Sequence, residues 1–389
     1  MNVRHTLLIG GRNMEHYLDN AATTKPCAEA AAAVMSCISS HYGNPSSLHR
    51  KGLEAQHEVE YARNQVAGAL GCKAQEIVFT SGATESTNLA LCGAAAAYGR
   101  KRKKIITSAV EHALVRETMA HLETLGFTVV SVPPAEDGLY HAEDFLKEVD
   151  KDTCMVSIML VNNENGYRMP VEEVFRTVKR RDPDIITHCD AVQGFLKVSF
   201  KPRTLCADLV SLSGHKVHAL KGAGALYIRQ GVRLKPVLYG SRQEKGLRPG
   251  TEGVPVIAAF GAAAEKLVLT MDERYDAVSG LRSSLIEQLK EMDGVIIRDL
   301  PSASPYVLNI SLLGYRSEIV LHYLEQREVY ISSGSACSKG ASSGVLELFG
   351  AKPAEVDSAL RISFCSDNTE EDIAALVQGL KDAQKDLMH

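Results

Sequence analysis

The sequence has no apolar stretch long enough to span a bilayer. Its first apolar run, Thr6-Leu7-Leu8-Ile9, is too short for the core of a secretion signal. Strong charge of either sign is missing too. Lys and Arg number 43 against 47 Asp and Glu, and the net charge of −4 offers no overall attraction for nucleic acid or membrane. The nine cysteines are odd in number and lack framework spacing, which argues against a secreted disulfide scaffold. Cys154, Cys189 and Cys206 lie in apolar segments and read as small core residues. Neither H-E-x-x-H nor a paired C-x-x-C occurs, so a zinc or iron–sulfur site has no motif behind it. Gly222-x-Gly224 lacks the third glycine of a dinucleotide fingerprint, and there is no Walker loop, internal repeat or low-complexity linker. A cytoplasmic globular protein is the expectation, with no membrane and no direct nucleic-acid partner.

What is present is ordinary in bulk and specific in detail. Hydrophobic residues make up 45% and charged residues 23%, and 389 positions hold one large and one smaller domain with room for buried cores. Strand-like and helix-like segments alternate through the middle of the chain. Strands are expected at 76–80, 104–108, 128–132, 154–161, 185–189, 207–212 and 224–228, with helices at 87–98 and 113–125. Such alternation predicts an α/β fold with a mainly parallel sheet. After about residue 270 the pattern changes to a long charged helix (271–292), strands at 295–298, 307–312 and 359–364, and helices at 317–326 and from about 369. The expected organisation is a loose extension at 1–16, an N-terminal segment at 17–29 packing with the small domain, a large domain at 30–270 and a small α+β domain at 271–389.

Ligands of parallel sheets bind beyond the carboxyl ends of the strands. The polar clusters of this chain fall at those ends: Ser81 to Ser86, Glu111-His112, Asn162-Asn163-Glu164, Asp190 and Ser213-Gly214-His215-Lys216. A lysine and an aspartate ending neighbouring strands suit a pyridoxal phosphate (PLP) enzyme. The lysine holds the aldehyde as a Schiff base, and the carboxylate keeps the pyridine nitrogen protonated so that the ring accepts electrons. Far downstream, Cys337 stands in the small-residue loop Ser332-Ser333-Gly334-Ser335-Ala336-Cys337-Ser338. Ser213-x-x-Lys216 also matches the serine–lysine motif of penicillin-interacting enzymes, and Ser366-Asp367-Asn368 supplies an S-D-N, but no K-T-G follows. His188, Cys189, Asp190, His215 and His218 suggest a metal site, yet alternate strand residues point to opposite faces. The basic run Arg100-Lys101-Arg102-Lys103-Lys104 reads as a solvated connection, with a docking patch for an acidic partner or tRNA as the alternative.

Taken together, the blocks resemble the cysteine desulfurases of the class V aminotransferase (PLP fold type I) family, in their NifS/IscS-like branch. The resemblance runs from Tyr17 through Tyr17-Leu18-Asp19-Asn20-Ala21-Ala22-Thr23-Thr24, Tyr42-Gly43-Asn44-Pro45-Ser46-Ser47 and Phe79-Thr80-Ser81-Gly82-Ala83-Thr84-Glu85. It continues through Glu111-His112, Val161-Asn162-Asn163-Glu164, Asp190-Ala191-Val192-Gln193, Ser213-Gly214-His215-Lys216, Arg248-Pro249-Gly250-Thr251 and Ser333-Gly334-Ser335-Ala336-Cys337. It implies a large domain with a mainly parallel seven-stranded sheet, a smaller α+β C-terminal domain and a PLP cofactor. It also implies conversion of L-cysteine to alanine, with the sulfur passing to Cys337 as a persulfide for iron–sulfur cluster assembly or tRNA thiolation.

The resemblance further assigns residues. Lys216 would carry PLP and move the substrate proton. Asp190 would pair with the pyridine nitrogen, and His112 would stack on the ring and act as acid/base near its natural titration range. Gln193 and Asn163 would bond the ring oxygen or the substrate. Ala83, Thr84, Ser213 and His215 would hold the phosphate, with Thr251 reaching the partner's phosphate in a homodimer. Arg361 would clamp the substrate carboxylate, with Asn44 near the same place. A sulfur-acceptor protein, either an iron–sulfur scaffold or a tRNA-thiolation enzyme, would dock near the Cys337 loop, and no metal belongs to the site. The chain departs from the family at Asn165, at Ala219-Leu220 where Gly-Pro is usual, and at Cys365. Selenocysteine lysis and a non-catalytic PLP-binding scaffold are the rival readings. The cysteine loop separates the chain from aminotransferases, which need no such nucleophile.

Overall fold

A computed structural model describes residues 15–334 and 344–387. Its thirteen strands are β1 (His16–Tyr17), β2 (Ile77–Thr80), β3 (Lys104–Ser108), β4 (Thr128–Val132), β5 (Thr153–Met159), β6 (Ile186–Asp190), β7 (Leu209–Ser213), β8 (Gly224–Ile228), β9 (Val295–Arg298), β10 (Val307–Leu312), β11 (Val329–Tyr330), β12 (Ser332–Ser333) and β13 (Ala359–Ser363). The large sheet has seven strands in the order β2-β8-β7-β6-β5-β3-β4. Within it β8 alone runs against the others. The central strands β5, β6 and β7 are buried along their whole length. Helices on both faces exclude water from them, which is why they read as apolar runs rather than as alternating patterns.

The second sheet is antiparallel, in the order β12-β13-β10-β9. Its core of Leu308, Ile310, Leu312, Leu360 and Ile362 is closed by the helices Met271–Lys290 and Glu370–Asp386. Several element ends move by one to four residues from expectation. The strand expected at 154–161 stops at Met159, because Leu160 N–H turns to Asp190 O and Val161 bridges antiparallel to Arg168. The helix expected from 87 begins at Ala83. Among the described residues no single helix is long and apolar enough to cross a membrane.

The boundary of the N-terminal extension also needs correction. His16, placed in the loose part, belongs to β1, where its N–H donates to Glu328 O at 2.9 Å and its Nδ1 meets Asp372 Oδ1 at 2.7 Å. Residues 1–14 lie outside the described part. Arg100, Lys101 and Lys103 of the basic run are exposed, as a solvated connection requires, and three of its residues have partners on this chain. Arg102 pairs with Asp182 at 2.6 Å, Lys104 with Asp150 at 3.1 Å, and Lys103 Nζ lies 4.1 Å from the Phe127 ring centroid.

One buried ion pair ties the outer part of the large domain to the start of the site. Arg63, on the helix Arg50–Leu70, donates to Glu244 Oε2 and Oε1 at 2.8 and 2.6 Å, and also to Ile77 O at 3.1 Å. Glu244 Oε2 accepts from Phe79 N–H at 2.8 Å, which fixes β2 just before it turns into Ser81. Both side chains are almost wholly buried. Glu244→Ala leaves the buried guanidinium with only the half-exposed Glu60, at 3.1 Å from its Nε, as a counter-charge, so we expect a loss of about 3 kcal/mol of unfolding free energy in urea titrations. A loss below about 1 kcal/mol would place the pair among ordinary surface ion pairs.

Candidate active site

A cavity of about 650 Å³ opens at the carboxyl ends of β5, β6 and β7. Asp190, the last residue of β6, and the turn Gly214–Lys216 after β7 supply its floor. The first turn of the helix Ala83–Tyr98 supplies one wall, and Arg361 of β13 the opposite one. Of the residues singled out from sequence, Lys216, Asp190, His112, Gln193, Asn163, Ala83, Thr84, Ser213, His215 and Arg361 all line it.

Two are not brought there. Asn44 sits in the loop before the helix Arg50–Leu70, where its Oδ1 accepts from Ser46 N–H at 2.9 Å. That local turn engages the side chain, and Asn44 is not among the residues lining this chain's cavity, where it was expected beside Arg361. Thr251 is exposed, outside this chain's cavity, in the segment before the helix Val254–Leu269. Cys337 lies outside the described residues.

The helix Ala83–Tyr98 has Gly82 at its N-cap, so no side chain satisfies the N–H groups of its first turn. Those donors and the helix dipole favour an anion. Ser213, which lines the same cavity, adds a buried hydroxyl with no hydrogen-bond partner among the described residues. The loop is kept close by Gly224, where an added Cβ would lie 2.6 Å from Gly82 Cα. Glu85 braces it from outside, accepting from Ser81 N–H at 2.7 Å and pairing with Arg248 at 2.9 Å.

Lys216 Nζ donates to Ala21 O at 2.7 Å and to Ala22 O at 2.6 Å. Asp190 is buried. Its Oδ1 accepts from Val192 N–H at 3.0 Å, and burial pushes its carboxyl up to about 6 against the pull of Val192 N–H and Lys216. Arg361 donates to Asp19 Oδ1 at 2.9 Å and Asn163 O at 3.2 Å, while its buried Nε meets no acceptor among the described residues. An Arg with one such donor facing a cavity suits a carboxylate.

Three participants carried no assigned role in the sequence. Asp19 orients Arg361. Glu111 is fully buried, accepts from Ser108 Oγ at 2.6 Å and Met159 N–H at 2.9 Å, and is pushed by burial up to about 8. It therefore sits protonated at neutral pH, bridging the ends of β3 and β5. Lys197 is buried behind Gln193. Asp19 and Glu111 stood in recognised blocks, while Lys197 gave no signal beyond its spacing of four from Gln193.

The departures have structural accounts. Asn165 is buried, and its Oδ1 accepts from Tyr167 N–H at 3.0 Å, closing the turn after Asn163. Where Gly-Pro is usual, the backbone is held instead by His218 N–H on Thr24 Oγ1 at 2.7 Å and Cys27 N–H on His218 O at 2.9 Å. Cys365 is buried, with its N–H on Asn368 Oδ1 at 2.8 Å.

Comparison with known proteins supplies the context. The Aminotransferase class-V family matches residues 16–376. A "NifS/IcsS protein homolog" of Lactobacillus delbrueckii subsp. bulgaricus is 40% identical over 361 residues, 92% of this chain and 94% of that one. A "Cysteine desulfurase" of Nostoc sp. is 38% identical over 366 residues, 93% and 91% of the two. Among solved structures, a "NIFS-LIKE PROTEIN" superposes with a TM-score of 0.91 at 37% identity, covering 96% of this chain and 100% of its own.

His112 departs from the expected titration range. Its Nδ1 accepts from Leu114 N–H at 3.1 Å, and burial, then Lys216, lowers its pKa to about 4. His215 is lowered likewise to about 4. Both rings are neutral at physiological pH, and His112 carries its proton on Nε2. The unfolded chain protonates them near 6.5, so their contribution to stability is complete above that pH and is lost as the pH falls through about 4. Ring-nitrogen NMR of the cofactor-free protein should show both rings still neutral at about pH 5.5. A midpoint near the ordinary histidine value would contradict this geometry.

Proposed function

Because the chain belongs to the aminotransferase class-V family and is a PLP-dependent cysteine desulfurase of the NifS/IscS type, we propose that it draws the sulfur of L-cysteine onto Cys337 as a persulfide and releases alanine. The sulfur then passes to an acceptor protein serving iron–sulfur assembly or tRNA thiolation in the cytoplasm. What best supports this reading is the meeting of Lys216, Asp190 and the unsatisfied Arg361 Nε in one cavity.

The residues fit the cofactor. The uncapped helix N-terminus with Ala83 and Thr84, the partnerless hydroxyl of Ser213, and His215 form a phosphate cradle. Asp190, at the cavity floor, would pair with the pyridine nitrogen, and Gln193 and Asn163 would offer polar groups beside it. When bound, PLP supplies an electron sink for the substrate α-carbon.

The protein's own groups do the rest. Lys216 anchors the cofactor and moves a proton at the substrate Cα, which requires its Nζ to leave the Ala21 and Ala22 carbonyls. His112, neutral, lines the same cavity and would offer Nε2–H to the bound cofactor or substrate. Arg361, braced by Asp19, binds the substrate carboxylate. The Cys337 thiolate forms a bond to the substrate sulfur as the carbon–sulfur bond breaks. The electron pair stays on carbon, and a proton completes the methyl group of alanine. Thr251 of a second copy completes the phosphate site in a homodimer.

Alanine and sulfide formation from L-cysteine with reductant tests the reading. Cys337→Ala should keep the cofactor absorbance and lose about three orders of magnitude or more in turnover. A wild type that binds PLP but leaves cysteine untouched overturns it. Arg361→Lys keeps the charge and loses the two-pronged geometry, so KM for cysteine should rise about tenfold or more with a smaller change in kcat. An unchanged KM would remove Arg361 from the substrate site.

A further inference from the structure

Lys197 lies in the turn that follows β6, only 5% exposed. Among the described residues no carboxylate pairs with it, and its one hydrogen bond runs from Nζ to Gln193 Oε1 at 3.0 Å. Its Nζ also stands 5.8 Å from the Tyr306 ring centroid. Beside it is a void of about 10 Å³, lined also by Lys216, His218, Arg274 and Cys365, with room for about one water. Burying an ammonium in this way costs several kcal/mol. Burial, followed by the charge of Lys216, lowers its pKa to about 7, and the other charged groups facing it are Arg274, Arg361 and the Cys365 thiol.

The hydrogen bond decides which end of Gln193 faces the cavity. Gln193 Nε2 donates to Ala21 O at 2.9 Å. A carbonyl only accepts and an ammonium only donates. Flipping the amide would set acceptor against acceptor at Ala21 whatever the state of Lys197, and donor against donor at Lys197 when its amine is protonated. With Oε1 turned to Lys197 and one N–H turned to Ala21 O, the second amide N–H of Gln193 remains unspent, and Gln193 lines the cavity with Asp190 and Lys216.

We propose that Lys197 is a positioning residue: by holding Gln193 Oε1 it makes Gln193 present an N–H, and not its carbonyl, to the ring oxygen of the cofactor. This rests on the reading of the cavity as a PLP site. An N–H there stabilises the ionised ring oxygen, whereas a carbonyl would repel it.

The test is a double-mutant cycle on the holoenzyme, following the pH midpoint of the bound-cofactor absorbance alongside kcat and KM. Lys197→Met should move that midpoint by about one pH unit. It should also lower kcat roughly tenfold while KM stays near wild type. In a Gln193→Ala background the same substitution should add no further shift. Gln193→Glu, which keeps the Lys197 contact and removes the N–H, should move the midpoint too, and covers the case in which Lys197→Met does not fold. The inference is overturned if Lys197→Met lowers only the melting temperature, if its shift persists in full without Gln193, or if Gln193→Glu leaves the midpoint in place. Each of these occurs with a wild type that shows the cofactor band. A wild type that takes up no PLP overturns the functional reading itself, and this inference with it.

Discussion

The cavity depends on one stretch of backbone, residues 18–24, which turns at 20–22 and is stitched between the two sheets. On one side, Leu18 is buried in the core of the small sheet, Ser363 N–H donates to Leu18 O at 2.7 Å, and Asn20 Nδ2 donates to Ser363 O at 3.0 Å. On the other, Thr24 N–H donates to His215 O at 2.9 Å, and the Ala21 carbonyl receives both Lys216 and Gln193. Asp19, in the middle, turns Arg361 toward the cavity. A backbone carbonyl is an obligatory acceptor, so this segment sets the resting place of Lys216 before any ligand arrives. Removing it would separate Arg361 on β13 from Lys216 after β7.

Electrostatically the site is a desolvated, cation-rich cavity with few ionised acids. Lys216, Arg274 and Arg361 all lie within Coulombic reach of Lys197. Asp190 is the carboxylate kept at the floor, and Glu111 behind it is held protonated by burial and by the Asp190 charge. The imbalance suits ligands that bring their own negative charge, a phosphate and a substrate carboxylate. Burial wins over pairing at His112, His188 and His215, which are all kept neutral. His188 is also locked between Ser157 at 2.8 Å and Ser211 at 2.9 Å, which makes it a strut between strands and not a metal ligand.

The departures from the family pattern follow one rule: a conformational constraint written in one residue type is replaced by hydrogen bonds from neighbours. Without the usual Gly-Pro after Lys216, the turn keeps a left-handed residue at His218 (φ 56°), fastened by Thr24 and Cys27. Asn165 closes its turn through its own side chain. Both solutions draw on segments distant in sequence or on local side-chain acceptors, and neither disturbs a group lining the cavity.

Much of this was legible in the chain itself. Buried parallel strands must be apolar and must end in polar turns, so the strand pattern and the clusters at 81–86, 111–112, 162–164, 190 and 213–216 marked both the fold and the mouth of the site. Strand and helix ends shifted by a few residues because hydrogen-bond partners, such as Asp190 O for Leu160 N–H, come from elsewhere in the fold. Asn44 misled because its block was informative while its side chain was committed to a local turn. Glu111, Asp19 and Lys197 drew no role because their importance lies in what they touch, and no spacing encodes a contact across 30 or 300 residues. The sequence by itself determined which chemical groups the protein carries and the order in which they meet the strand ends. Only the tertiary structure decided their protonation and orientation, because those depend on burial and on partners that folding alone brings within hydrogen-bond reach.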